Sequence, residues 1–415
     1  MINLLLKLQR RTKCEMWKKW QLFHATDFQS LMYPCFTFCR ILGLFPYRIN
    51  ASTFQTPKRS YILPIIIICI LFICELITLY EVDVINKHDE NVPKTLERNC
   101  FYILGGFSTV VAYALNGRRM HLLQIIMEIS SKLPPDSYFK MSILIHAKDI
   151  FGFFFLVGQA TCYYSITGVC HLRNLLVLYI LLITFQMDML HMNCVCILKA
   201  CFKKINDNLI NVRELIVNNE SHFLRQHNRN PFVLMELKML KKQHLMISDT
   251  VQMLNAIFSL QVLASVVMTF AEITFRLYFY ILEWKSQEMS MFNVDQNFHN
   301  VLLIIFITYY CIKIMLIGWA CDTAKDQAMK IGITIHEILN DTIDKQIKDE
   351  LQMFSLQVLH RENTFSAKGL IVDATLLVAI VGNITTYLLI LIQFLVAQEV
   401  CNKKITNNVT EIIYN

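Results

Sequence analysis

Three polar side chains recur on one face of an otherwise apolar stretch near the end of this 415-residue chain. Thr386 and Gln393 are seven residues apart and Asn383 lies one turn before Thr386, so on a helix the three share a stripe. Tyr387 and Phe394, also seven apart, make a neighbouring aromatic stripe, with Ile390 among the apolar residues between them. Each polar group is costly at membrane depth unless it finds a partner. Three readings meet that demand. One is hydrogen bonding to a neighbouring helix. A second is the wall of a binding pocket. The third needs several copies of the chain, turning the stripe to a common axis as polar rings separated by apolar collars around an ion path.

A second set of residues could hold a small organic molecule. Glu272 and Arg276 are spaced to neutralise each other on one helix, or to line a watery cavity. Gln159, Tyr163, Tyr164, Phe306, Tyr309 and Tyr310 supply aromatic walls and a polar group of the kind that suits a partly polar ligand. Glu75, Gln186, Asp188 and Lys313 have no evident partner nearby in sequence. The chemistry of an enzyme is missing from this pattern. No phosphate-cradling glycine loop is present, and "PCFTFC" and "NCVC" lack the matching pairs of a zinc site. His222 and His227 sit in a polar, solvated stretch, so no metal or cofactor is expected. Cys100, Cys162, Cys170 and Cys401 fall near one side and leave a disulfide open, while Asn408-Val-Thr is a glycosylation acceptor.

The elements that must position these residues are membrane helices. Apolar residues make up 55% of the chain and charged residues 17%, against nearer a quarter charged in a soluble protein of this length. Seven stretches approach the roughly 20 apolar residues needed to cross a bilayer. They are Tyr61–Tyr80, Phe101–Asn116, Ile150–Gly168, Leu175–Ala200, Leu254–Leu282, Asn300–Ala320 and Leu376–Gln398. The start, "MINLLLKLQRRTKCEMWKKW", has too short an apolar run for a cleavable signal. Residues 1–60 carry ten Lys and Arg. With the connections after segments two, four and six, and Lys199 at the end of segment four, 30 of the 39 fall on one side. That bias makes this side cytoplasmic, with the N-terminus inside and the C-terminus outside. The net charge of +7 is this bias and calls for no nucleic acid.

The chain divides accordingly. Residues 1–60 form a cytoplasmic region with an amphipathic helix, either along the inner face or packed beneath the bundle. Residues 61–320 hold segments one to six and the ligand pocket. Residues 321–375 are cytoplasmic anchor helices, 376–398 the seventh helix and 399–415 an extracellular tail. "RRMHLLQIIMEISSKLPPDSYFKM" predicts an amphipathic helix ended by Pro134-Pro135. Ile331, Ile335, Ile338, Ile343, Ile347, Leu351 and Phe354 predict a helical stripe broken near Asn340–Asp341. No inverted repeat of the transporter kind is visible.

"TYLLILIQF", Thr386 to Phe394, resembles the C-terminal signature of insect gustatory receptors, a Thr-Tyr, five hydrophobic residues and Gln-Phe. Upstream, Phe365, Gly369 and Asp373 match the family's Phe, Gly and Asp before the last span. His244, Asn255 and Cys321 are weaker echoes, and Lys368 departs from the pattern.

The resemblance implies an all-α membrane receptor with seven transmembrane helices, cytoplasmic helical extensions acting as an anchor, and no enzymatic activity. It implies a tastant-gated, non-selective cation channel of four identical subunits, in the plasma membrane of chemosensory neurons. Other gustatory receptor subunits are possible partners. Gln393 and Phe394 would then form the gate, with Thr386 and Tyr387 deeper, and the small-molecule pocket would open outward. Sugar receptors of this family often carry an acid after Thr-Tyr, where this chain has Leu388. The resemblance therefore points to a bitter or plant-derived ligand, with a fructose-like monosaccharide as the alternative. In other classes, a metabotropic seven-helix receptor and a secondary transporter compete; the charge bias and the lack of a repeat count against them.

Overall fold

The structure, a computed structural model, describes residues 22–44, 48–50, 53–55, 62–80, 92–167, 171–222, 231–287 and 294–414. A short helix, α1 (Phe28–Ile41), comes first, followed by a small hairpin of β1 (Arg48–Asn50) and β2 (Thr53–Gln55). The long helices then follow: α2 (Ile62–Tyr80), α3 (Val92–Ala114), α4 (Asn116–Ser130), α5 (Pro135–Thr167), α6 (His171–His222), α7 (Pro231–Gln287) and α8 (Val294–Asp341). The chain ends with α9 (Lys345–His360), a second hairpin of β3 (Ser366–Ala367) and β4 (Leu370–Ile371), and α10 (Ala374–Tyr414). Among the described residues, the two hairpins are the departure from an all-helical chain.

Among the described residues, five helices, α5, α6, α7, α8 and α10, are each long and apolar enough to cross a membrane. The pair α3 and α4, bent by 60° at its break, offers a sixth, and the 19 almost wholly apolar residues of α2 match the first expected segment. The second segment begins earlier than its hydropathy suggests, at Val92, because a polar turn precedes the apolar run within one helix. Its bend has a visible cause. The Arg119 guanidinium, wholly buried, folds back to donate to the last carbonyls of α3, Ala112 and Val111, and lies 5.3 Å from the Phe258 ring. The Ala112 carbonyl is among those a helix end leaves without partners, and the Val111 carbonyl also accepts from the Leu115 amide at 3.2 Å.

Helix α7 has 57 residues, which at 1.5 Å each is about 85 Å, nearly three times the hydrocarbon thickness. The excess of α6, α7 and α8, together with α9, makes a helical mass continuous with the membrane bundle. Its interior is the expected stripe: Ile331, Ile335, Ile338, Ile347, Leu351 and Phe354 are all buried. Ile343 is the correction. It is 81% exposed, because residues 342–344 lie between α8 and α9, where helical periodicity stops. Asp344 caps the new helix, its carboxylate accepting from the Gln346 amide at 2.8 Å.

Helix α6 is the central post, packing against α3, α5, α7 and α8. Of the two placements open for the N-terminal helix, the packed one is found: Leu31, Met32, Cys35 and Cys39 of α1 are fully buried, and α1 packs on α5 and α6. At the other extreme stands α10. Only 17% of its apolar window is covered by the rest of the chain, against 72% for α6.

Candidate functional site

Of the polar residues without local partners, Gln186, Asp188 and Lys313 find them across the bundle, whereas the buried Glu75 Oε1 has no hydrogen bond among the described residues. Asp188 on α6, Ser265 on α7 and Lys313 on α8 form a buried triad. The Lys313 Nζ lies 3.2 Å from Asp188 Oδ2 and donates to Ser265 Oγ at 3.0 Å, while Ser265 donates to the same carboxylate oxygen at 2.5 Å. The three helices are thereby tied at membrane depth by one neutralised cluster, which is how buried charges persist there. Gln186, two residues before Asp188 and so on another face of α6, donates to the Cys35 carbonyl at 3.3 Å and anchors α1.

The Glu272–Arg276 pair forms within α7, with Nη2 to Oε2 at 2.9 Å, and the guanidinium lies 4.3 Å from the Phe306 ring of α8. The self-neutralising pair that its spacing allows is formed. The aromatic wall divides. Tyr310 is buried and faces Lys313 at 5.6 Å, whereas Tyr309 turns toward α5 and stacks on Phe155 at 5.9 Å. Tyr309 therefore borders a cavity of about 430 Å³ between α5 and α8, floored by Phe185 and Met189 of α6. Gln159, on α5, is buried with neither amide atom hydrogen-bonded among the described residues. The side chains of Tyr163 and Tyr164 lie outside the described residues, as do those of Cys162, Cys170 and Cys401; Cys100 is a free thiol.

On α10, Leu376, Ile380 and Ile384 pack inward, and Asn383, Thr386, Tyr387, Ile390, Gln393 and Phe394 are all exposed. The Thr386 hydroxyl donates to the Gly382 carbonyl at 3.0 Å, and the Tyr387 ring meets Phe270 of α7 edge-on at 5.7 Å. The polar stripe is thus a free face of the single chain.

The residues matching the upstream pattern gather at the base of this helix. Asn255 of α7 donates to the Thr364 carbonyl at 2.7 Å and accepts from the Ser366 amide at 3.3 Å, holding the β3–β4 hairpin. Lys368 and Gly369 form its two-residue turn, with φ of 51° and 89°. A turn with two left-handed residues explains the glycine and shows that the lysine fits only at some backbone cost. Phe365 is buried below the turn. Asp373 caps α10, accepting from the Thr375 amide at 3.0 Å and hydroxyl at 2.5 Å, and these bonds hold its carboxyl below the usual range.

His244, fully buried on α7, lies between Phe202 and Phe354, and its Nδ1 is 3.0 Å from the Gln357 amide of α9. Burial first, and the Arg361 charge second, lower its pKa to about 4. Cys321 is buried in α8. Two contacts here have no sequence signal. They are Gln357, and Gly318, where a Cβ would come within 3.1 Å of the Asp373 carbonyl oxygen. Among the described residues no cluster of His, Cys, Asp and Glu could hold a metal.

The helical bundle has known counterparts. In fold, it is similar to the insect olfactory receptor OR5 from Machilis hrabei, solved alone and in complex with eugenol. The TM-scores are 0.65 and 0.63 at 10% identity, covering 88% of this chain and 98% and 97% of those chains. In sequence, it is 25% identical to putative gustatory receptor 28a of Drosophila melanogaster over 431 residues, 91% of this chain and 94% of that protein. It is 34% identical to putative gustatory receptor 28b over 157 residues, covering 36% of this chain and 32% of that protein. It is 28% identical to the gustatory receptor for bitter taste 66a over 149 residues, covering 35% and 28%. The family model for the 7tm chemosensory receptors matches residues 32–398, from the first buried helix through the polar stripe. The chain is therefore a member of the 7tm chemosensory receptor family, a family of receptors and not of enzymes.

Proposed function

We propose that this receptor is a tastant-gated, non-selective cation channel built from four copies of the chain, with α10 of each copy lining the pore. One observation carries the reading. α10 exposes Asn383, Thr386 and Gln393 on one face while packing Leu376, Ile380 and Ile384 on the other. Polar groups at membrane depth need water or protein opposite them, and a shared water-filled axis supplies it. Gln393 and Phe394 form the gate, with Thr386 and Tyr387 deeper and Ile390 as a collar.

In this reading the N-terminus is cytoplasmic and the long inner extensions form the anchor, where His244, Asn255, Cys321, Phe365, Gly369 and Asp373 couple ligand binding to α10. Assembly is with further copies or other gustatory receptor subunits, in the plasma membrane of chemosensory neurons. The ligand is bitter or plant-derived. Leu388 in place of an acid and the likeness to a relative named for bitter taste both support that class. Whole-cell recording from cells expressing this chain with a panel of bitter plant compounds tests the reading. A ligand-evoked cation current whose conductance or selectivity changes in Gln393→Ala, at unchanged surface expression, supports it. Unchanged permeation removes Gln393 from the pore wall.

A further inference from the structure

The cavity of about 430 Å³ between α5 and α8 does not open where an outward-facing pocket would. Its mouth is bordered by Phe151, Phe155, Ile304 and Ile312, all exposed on the flank of the bundle within the apolar segments, so it opens sideways to lipid. The volume lies within the range of about 300–1,000 Å³ typical of small-molecule sites. Gly152 helps to create it. A Cβ there would clash with the far end of the Phe185 ring, which reaches α5 and forms part of the cavity floor.

The polar lining decides the chemistry. Lys313 is engaged with Asp188 and Ser265, and Lys148, at one end of the cavity, is paired with Asp149. The Tyr309 and Thr308 hydroxyls, by contrast, make no hydrogen bond among the described residues. Two free hydroxyls in an apolar wall at membrane depth call for an occupant with one complementary polar group. A sugar would bury several hydroxyls that this wall leaves unpaired. Along α8 the lining runs from Ile304 to Leu316, about 18 Å, which admits an elongated molecule.

We propose that this cavity is a bilayer-accessed binding site for an apolar molecule of phenol or terpenoid size bearing one hydrogen-bonding group, entered from the lipid and oriented by Tyr309 and Thr308. It rests on the receptor reading only in taking the occupant to be a small molecule. It is therefore tested by binding and not by current.

The full-length protein in lipid nanodiscs is photolabelled with 4-propylphenol carrying a diazirine on its alkyl chain, and adducts are mapped by mass spectrometry. Expected are adducts at Phe151, Ile304 and Ile312 that fall at least tenfold with excess plain 4-propylphenol. They should also fall in Ile304→Trp, which fills the mouth from the lipid side, and in Gly152→Ala, which displaces Phe185. Tyr309→Phe with Thr308→Val should raise the phenol concentration needed for competition about tenfold. Labelling spread evenly over lipid-exposed helices and not competed overturns the site. Labelling competed by oleate but not by the phenol also overturns it and assigns the cavity to a lipid tail. Competed labelling in a chain that carries no current would sink the channel reading alone; a current without competed labelling would sink only this one.

Discussion

Removing Lys313 alone should damage this protein more than removing Lys313 and the Asp188 charge together. The two groups are 3.2 Å apart and both buried, with side-chain exposures of 5% and 0%. At an effective dielectric of 20 their gross attraction is about 5 kcal/mol. Most of it offsets the cost of burying the charges, so the net worth of the pair is small. The loss of one partner is not small. Lys313→Met leaves the Asp188 carboxylate with only the Ser265 hydroxyl, since its Oδ1 already has no partner. A buried charge stranded in this way costs about 3–5 kcal/mol. Asp188→Asn in the same chain removes the stranded charge and keeps an acceptor for Ser265. Surface biotinylation and the folded fraction after a heat challenge, measured for the wild type, both single variants and the double variant, complete a mutant cycle. The double variant should recover at least about 2 kcal/mol relative to the sum of the singles, roughly 30-fold in the ratio of folded to unfolded protein. Additive losses would refute the triad as a coupled unit, as would a Lys313→Met variant of wild-type stability.

Asn255→Ala removes both bonds that hold the β3–β4 hairpin and should lower thermal stability by about 1–3 kcal/mol. Asn255→Asp keeps the acceptor for Ser366 and should be milder; equal losses would mean that the Ser366 bond contributes nothing. His244 titrates at about 4 when folded, against 6.5 for its unperturbed value. The unfolded chain therefore binds more protons between those values, so the histidine's contribution to stability is complete above pH 6.5 and is lost as pH falls toward 4. A melting series from pH 7.5 to 4 should show His244→Gln declining less than the wild type, and parallel curves would contradict the buried neutral imidazole. Tyr309→Ala should shift the half-maximal concentration of an active ligand more than the unitary current. Tyr310 faces Lys313, so Tyr310→Ala should instead lower surface expression.

How much of this was readable in the residues depends on the range of the interaction. The membrane segments were legible because each depends only on its own composition. The inner helices were legible because a stripe such as Ile331, Ile335 and Ile338 is a local period, and it misled only at Ile343, where the helix ends. The Glu272–Arg276 pair, four residues apart, was legible for the same reason. Asp188 and Lys313 were visible as misplaced charges but not as partners, because 125 residues separate them and only the packing of α6 on α8 brings them together. Tyr309 and Tyr310 look alike in sequence. Their adjacency on a helix sends one toward the lateral cavity and the other toward the charge triad. Gly318 carried no signal, since its role depends on the Asp373 carbonyl of a helix that begins 56 residues later.

The central claim is that the polar face of α10 lines an ion path. Its most direct test is the reversal potential of ligand-evoked current under sodium and potassium gradients, for the wild type and Gln393→Ala at matched surface expression. The account predicts a cation current in the wild type and a changed permeability ratio or conductance in the variant. A ligand-evoked current with identical permeation in both would place Gln393, and the stripe with it, away from the path.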